Sequence, residues 1–180
     1  MEGNVLVKKL LSADNRRGSY RDNSQVYRKS RQVMIVNKAY RYRLYPTREQ
    51  KIMFDKTFGC VRFIYNKMLS DRIDYYKETG QKLNNTPAQY KEDFPWLKEV
   101  DSLALANAQL NLNKAYSHFW NDSQHFGKPR FKSKKNSRAS YSTNNQKGSV
   151  RIEGHKVKLP KVGWVKLCQH RPLPENSIIK

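Results

Sequence analysis

Residues 35–46, IVNKAYRYRLYP, alternate along their length and stop at a proline. Val36, Lys38, Tyr40, Tyr42 and Leu44 fall on one side of an extended chain, and Ile35, Asn37, Ala39, Arg41, Arg43 and Tyr45 fall on the other, because successive side chains of a strand point to opposite faces. The reading is a strand with one tyrosine-rich face. Pro46 ends it, and Thr47 with Gln50 forms a T-x-x-Q capping box that opens a helix. A lone strand is unstable in water, so this one must pair with strands elsewhere in the chain.

Downstream the period changes. Met53, Thr57, Cys60 or Val61, Ile64 and Met68 form a helical stripe, with Phe54, Phe58 and Tyr65 beside it, running to a stop at Gly80. Gly59 is placed to break this run into two helices. A short helix is expected after Thr86-Pro87, then a loop, FPWLKEV, anchored by Trp96 and Leu97. Asp101 caps a further helix whose Leu105, Ala108, Leu112, Ala115 and Phe119 step by three and four along one face to about Phe126. From residue 140 the chain returns to short alternating segments at 140–145, 150–152, 156–159 and 164–168, and IEGHKVKL reads as a hairpin turning at Gly154. The order strand, helices, strands predicts an α+β fold: a small β-barrel interrupted by a helical insertion.

Charge divides the chain differently. Of 180 residues, 36 are Lys or Arg and 15 are Asp or Glu, a formal net charge of +21. Residues 127–180 alone carry 14 basic residues against two acidic ones. Such an imbalance points to a polyanionic partner, because each neutralised phosphate releases counterions. Nucleic acid is favoured over a membrane surface, since no apolar run approaches the ~18 residues of a span. The N-terminus has no signal-peptide pattern, and a soluble cytoplasmic chain is expected. Residues 1–33 are polar and without period after NVLVKKLL, and read as a basic arm.

Catalytic patterns are missing. Asp71, Asp74 and Glu78 share a helix face but are flanked by Lys and Arg, which reads as a solvated face. His118, His125, His155 and His170 have no ligand spacing, and Cys60 and Cys168 lie far apart with no CxxC. Neither a P-loop nor GxGxxG occurs. The expectation is no catalytic residue, no metal and no cofactor in this chain. Binding features are stronger: in YRYRLY, Arg41 and Arg43 project from one strand face, and KPRFKSKKNSR (128–138) holds six basic residues and no acidic one. Aromatics interleaved with such cations can stack on bases while the cations hold phosphates.

Five segments, NKAYRYRLYPTREQ, FGCVRFIYNKML, FPWLKEVDSLALANAQLNLNKAYSHFW, GKPRFKSKKNSRASYSTNN and VRIEGHKVKLPKVGWVKL, together resemble, in order over about residues 34–174, the N-terminal half of TnpB, the OrfB-type insertion-sequence proteins long called transposases. The resemblance implies an RNA-guided DNA endonuclease related to type V CRISPR effectors, with a wedge-type β-barrel interrupted by a helical, helix-turn-helix-like recognition domain. The family's RuvC-like nuclease domain, its divalent metal and its zinc finger would lie beyond the position matching Lys180. On this reading residues 1–33 are an arm or a start assigned upstream of Met34, 34–46 the first wedge strand, 47–126 the helical recognition domain, 127–138 a basic loop, 139–174 the remaining wedge strands and 175–180 a linker. It also implies contact with a short target-adjacent DNA motif through Ser102, Ala106 and Thr143. Ala106 departs from the polar residue often found there, and a methyl cannot make a bidentate contact to a base edge. Guide-RNA contacts are expected at Arg41, Arg43, Lys128, Arg130 and Lys132. The expected role is nucleic-acid binding, of guide RNA and target DNA, without cleavage. The alternatives are a stand-alone regulator of the element acting beside a full-length TnpB-like protein, a nuclease domain supplied by another chain, and a helix-turn-helix transposase subunit reading DNA through residues 60–79.

Overall fold

A computed structural model of the chain describes residues 4–12, 35–135, 139–174 and 177–179. The alternating stretch is a strand, β2 (Ile35–Tyr45), with Tyr42 and Leu44 buried and Arg41, Arg43 and Tyr45 exposed. Its partner from the far end of the chain is β5 (Gly163–Cys168), antiparallel, with Arg43 opposite Cys168, Leu44 opposite Leu167 and Tyr45 opposite Lys166. β3 (Arg151–Glu153) and β4 (Lys156–Leu159) form the expected hairpin, turning at Gly154 with φ +53°. The left-handed turn suits glycine, which has no Cβ to clash.

Two strands were not expected. β1 (Asn4–Ser12) pairs antiparallel with β2 over its whole length, from Asn4 opposite Arg43 to Ser12 opposite Ile35, so this part of the N-terminal segment is sheet and not a free arm. The remainder of the arm expectation, residues 1–3 and 13–34, lies outside the described residues. β6 (Ile178–Ile179) adds to β1 in the region read as a linker. The sheet order is β3-β4-β5-β2-β1-β6.

The expected closed barrel is a curled, open sheet among the described residues. Its edge strands are three and two residues long, too short to supply the staggered pairing that closure needs. One side chain stitches the seam instead: Asn145 donates from Nδ2 to the Ile179 carbonyl at 2.9 Å and accepts the Val150 N–H on Oδ1 at 2.9 Å. The expected strand at 140–145 is irregular, because Tyr141 and Thr143 are spent on contacts to helices rather than on a ladder.

Between β2 and β3 stand α1 (Arg48–Thr79), α2 (Tyr90–Asp93), a 3-10 turn (Pro95–Glu99) and α3 (Ser102–Asn121). The Thr47/Gln50 capping box is formed in both directions, at 3.1 and 3.3 Å, and Gly80 stops α1 in the left-handed conformation. α1 runs 32 residues without a break at Gly59. A mid-helix glycine costs about 0.5–1 kcal/mol, which continuous burial on both sides of it outweighs. Cys60, Val61, Ile64, Tyr65, Met68 and Leu69 pack on Ala104, Leu105, Ala108 and Leu112 of α3. α3 ends at Asn121 rather than near Phe126, because the Asp122 carboxylate accepts the His125 N–H and closes a separate turn. Asp71 is not on a solvated face: it accepts from Lys67 Nζ and from the Tyr90 hydroxyl, both at 2.7 Å.

A second core lies under the sheet, around Tyr42, Leu44, Val157, Leu159, Val165 and Leu167. Phe54 packs on the sheet core and Tyr141 on the helical core, and their ring centroids are 6.3 Å apart with Phe58 beside both. Gln50 adds a polar tie, donating from Nε2 to the Trp164 carbonyl at 2.8 Å.

A Cβ added at Gly59 meets nothing within 4 Å. Gly59→Ala is therefore expected to stabilise the protein by about 0.5–1 kcal/mol, read as a raised urea midpoint. A hinge at this position would give the opposite sign.

Candidate nucleic-acid interface

The site is built around a buried carboxylate. Asp101 is 8% exposed and caps α3: one oxygen accepts the Leu103 N–H at 3.1 Å and the other accepts the Thr143 hydroxyl. A negative charge at a helix N-terminus is favoured by the aligned peptide dipoles, which offsets part of its burial cost. Because this carboxylate already occupies the helix end, no external phosphate is needed there. The capped end instead presents side chains. Ser102 is exposed and its Oγ accepts from Lys91 Nζ at 2.9 Å. One turn on, Ala106 is half-buried and offers a methyl, while the neighbouring Asn107 donates to the Leu103 carbonyl at 2.9 Å and meets Asn144 Oδ1 at 3.4 Å.

Ser102, Ala106 and Thr143 are thus gathered at one corner, where α3 begins and the 141–145 segment crosses it. Lys91, Asn107 and Asn144 join them, and reasoning from the sequence missed these as site residues. Their signal was present in the asparagine-rich face of α3 and in the TNN triplet, but only the fold says which asparagines face each other. Tyr141 closes the corner from inside. Burial, and then the Asp101 charge, push its hydroxyl pKa well above the ordinary 10.0.

The five expected phosphate-binding residues fall in two places. Lys128 and Arg130 are exposed beside Phe131 in the loop after α3. Lys132 is not a free cation. The Asn66 amide donates to its carbonyl at 2.9 Å and accepts its N–H at 2.8 Å, and its Nζ sits 4.2 Å from the Tyr65 ring centroid. Burial lowers its pKa. The loop is pinned to α1 at this residue. Arg41 and Arg43 lie instead on the outward face of β2, beside Tyr45, Cys168 and His170 around a shallow hollow of about 340 Å³.

Residues 60–79, the other candidate reader, are the C-terminal half of α1. Their apolar side is core, and Arg72 is engaged by Asn85 and Asn113, both at 2.8 Å. Among the described residues no group of three or more His, Cys, Asp or Glu could hold a metal ion. His125 Nδ1 faces the Asp122 carboxylate at 2.8 Å, and His118 stands edge-on to Phe126 at 4.8 Å. No helix of the described residues is long and apolar enough to cross a membrane.

A family model described as a helix-turn-helix domain, of the OrfB/IS605 type, matches residues 34–81, which fold here as β2 and the unbroken α1. A protein of Streptomyces pristinaespiralis named as an RNA-guided DNA endonuclease is 36% identical over 112 residues, covering 58% of this chain and 27% of that protein. The virulence protein VsdF of Salmonella dublin is 34% identical over 107 residues, covering 51% of this chain and 88% of its own length. InsQ of Escherichia coli K12, also named as an RNA-guided DNA endonuclease, is 24% identical over 140 residues, covering 74% of this chain and 34% of that protein. The chain therefore spans about a third or less of the two endonuclease relatives and most of VsdF.

Two expectations follow from the corner. Asp101→Ala removes the cap and the acceptor of Thr143, and is expected to cost about 1–3 kcal/mol in a denaturant titration. Tyr141 ionises above 10.0 in the fold and near 10.0 once unfolded, so the stability it carries is complete below pH 10 and is lost as pH rises further. Tyr141→Phe should accordingly flatten the alkaline limb of a plot of urea midpoint against pH.

Proposed function

The chain belongs to the OrfB-type, TnpB-like family of insertion-sequence proteins, and from that premise we propose that it is a transposase-associated nucleic-acid-binding protein. Its α3 corner reads a short duplex DNA motif through Ser102, Asn107, Thr143 and Asn144, with the Ala106 methyl contributing apolar contact alone. Lys128 and Arg130 of the loop, and Arg41 and Arg43 of the sheet, hold the phosphates of a guide RNA. The curled sheet is the counterpart of the family's wedge. Lys132 positions the loop and does not bind phosphate. Cleavage, a divalent metal and a zinc finger are not assigned to this chain.

The observation that carries the proposal is the convergence of short polar side chains from α3 and from residues 143–144 on one corner, held by Asp101. Phosphate contacts position a protein, whereas base-edge contacts specify sequence. Asparagine pairs with adenine and serine or threonine with several edges, so this corner has the donor and acceptor set of a reader. One observation favours a second reading, a stand-alone regulator acting beside a full-length TnpB-like partner: VsdF is matched over 88% of its length, so a chain of this portion exists as a protein of its own.

The test is binding of the chain to a randomised duplex library and to RNA transcribed from the element's end, each in a salt series. Affinity for both should fall steeply with salt. Lys128→Gln with Arg130→Gln should weaken binding uniformly and reduce the salt slope by about 2. Thr143→Val with Asn107→Ala should flatten the selected motif while leaving the slope unchanged. A library emerging unenriched from the unmodified chain would remove the DNA reading, and binding indifferent to salt would remove the phosphate contacts.

A further inference from the structure

The hydrogen bonds inside the α3 corner run in fixed directions, and each uses up a donor or an acceptor that a ligand could otherwise meet. A carboxylate oxygen only accepts, so the bond between Thr143 and Asp101 takes the Thr143 hydroxyl hydrogen. Lone pairs are what the Thr143 Oγ has left to offer. Asn107 is committed in the same sense. Its Nδ2 faces the Leu103 carbonyl at 2.9 Å, which only the nitrogen of the amide can do, and reaches Asn144 Oδ1 at 3.4 Å. Both amide hydrogens are therefore engaged, and Asn107 Oδ1 is left to accept. Ser102 has the opposite polarity: its Oγ accepts from Lys91 Nζ, and its hydroxyl hydrogen remains to donate. The direction at Thr143 is set by one group. Asp101 is nearly buried, and its other oxygen holds the Leu103 N–H at 3.1 Å, so it cannot turn away without uncapping α3.

We propose that Asp101 is the positioning residue that sets the specificity of this corner: by taking the Thr143 hydroxyl hydrogen it makes Thr143 a pure acceptor, and the base atom read there is an exocyclic amino group. The inference rests on the DNA-reading proposal above and adds the base chemistry that the corner takes and the residue that decides it. Adenine, cytosine and guanine carry such a group, and thymine does not. A free threonine hydroxyl rotates to suit donors and acceptors alike, and so discriminates poorly. This one is fixed. A base oxygen or ring nitrogen set against it would bring two acceptors face to face with no hydrogen between them. A site built for one polarity rejects the other, because its polar groups are then left unpaired. Asn107 Oδ1 asks for a donor as well, so the two acceptors reinforce one another, and Ser102 supplies the donor beside them.

The experiment selects a motif from a randomised duplex library with the full chain and with its Thr143→Val variant. The base pair whose preference flattens in the variant is the one Thr143 reads. Duplexes then carry, at that pair and one at a time, purine for adenine, 2-pyrimidinone for cytosine or hypoxanthine for guanine, each of which lacks the amino group. One such replacement should weaken binding of the unmodified chain about tenfold. Thr143→Val should bind the replaced and natural duplexes alike, which separates the lost contact from any cost to the duplex itself. Asp101→Asn keeps a cap on α3, because asparagine caps as well as aspartate. Its Nδ2, in place of the second oxygen, donates to Thr143 Oγ and releases the hydroxyl hydrogen. The motif that this variant selects should change at that pair, to one presenting an oxygen or a purine N7 there, and amino loss should no longer weaken binding. A merely structural Asp101 would lower stability and leave the motif as it was. A pair read by Thr143 with no dependence on any amino group, or a motif that Thr143→Val leaves intact, would overturn the polarity while the DNA reading stands. An Asp101→Asn variant that keeps the original pair and its amino dependence would overturn the role of Asp101. The analogue measurements on the unmodified chain decide the polarity even where that variant fails to fold. A library left unenriched by the unmodified chain would remove the DNA reading and this inference with it.

Discussion

The structure depends on one long-range pairing, β2 against β5, which joins residues 43–45 to residues 166–168. Closing so large a loop costs entropy that only burial can return. Leu44 and Leu167 meet across that pairing, and both are buried in the sheet core. Every other element is placed by it. β1 extends the sheet on one side and the β4–β3 hairpin on the other, and α1 leaves directly from the end of β2 with its first turn tied to β5 through Gln50. The helical body is held to the sheet by the rings of Phe54, on the sheet core, and Tyr141, on the helical core, with Phe58 beside both.

That arrangement determines where chemistry can sit. The 141–145 segment must travel from the helical body back to the sheet, and on the way it crosses the start of α3. Asp101 makes the crossing definite, since a nearly buried carboxylate requires donors and finds them in the Leu103 N–H and the Thr143 hydroxyl. The same carboxylate removes the helix end as an anion site and leaves side chains to meet a ligand. The basic loop is likewise positioned by a neutral group: Asn66 grips the backbone of Lys132, which leaves Lys128 and Arg130 exposed before it. The positive charge is thus divided between loop and sheet.

Much of this was legible in the residues. The alternation of 35–45, the T-x-x-Q box, the Gly80 stop, the Asp101 cap and the turn at Gly154 are local patterns with local causes, and each stands where the sequence puts it. The pairing of the 35–45 strand with a strand from the far end of the chain followed from the instability of a lone strand. What was not legible depends on partners distant in sequence. NVLVKKLL lacks clean alternation because Lys8 and Lys9 interrupt it, so its pairing with β2 could not be read from its own pattern. Closure of the sheet failed because β3 and β6 are short, a property of boundaries rather than of periodicity. Lys132 resembled its basic neighbours, and contacts with Asn66 and Tyr65 of α1, far away in sequence, distinguish it. Gly59 looked like a break because a glycine penalty is local, while the burial that overrides it comes from α3. Of the candidate site, Ser102, Ala106 and Thr143 were named from the family resemblance and stand at one corner of the fold, whereas Lys91, Asn107 and Asn144 needed the fold.

The central claim is that the corner built on Asp101 touches nucleic acid. Photo-cross-linking tests it most directly: a bromouracil-substituted duplex is bound to the chain and irradiated, and the modified peptides are identified by mass spectrometry. Adducts within 102–107 and 141–145 are the predicted result. Adducts confined to residues 60–79 of α1, or spread over the basic surface with none at the corner, would contradict it.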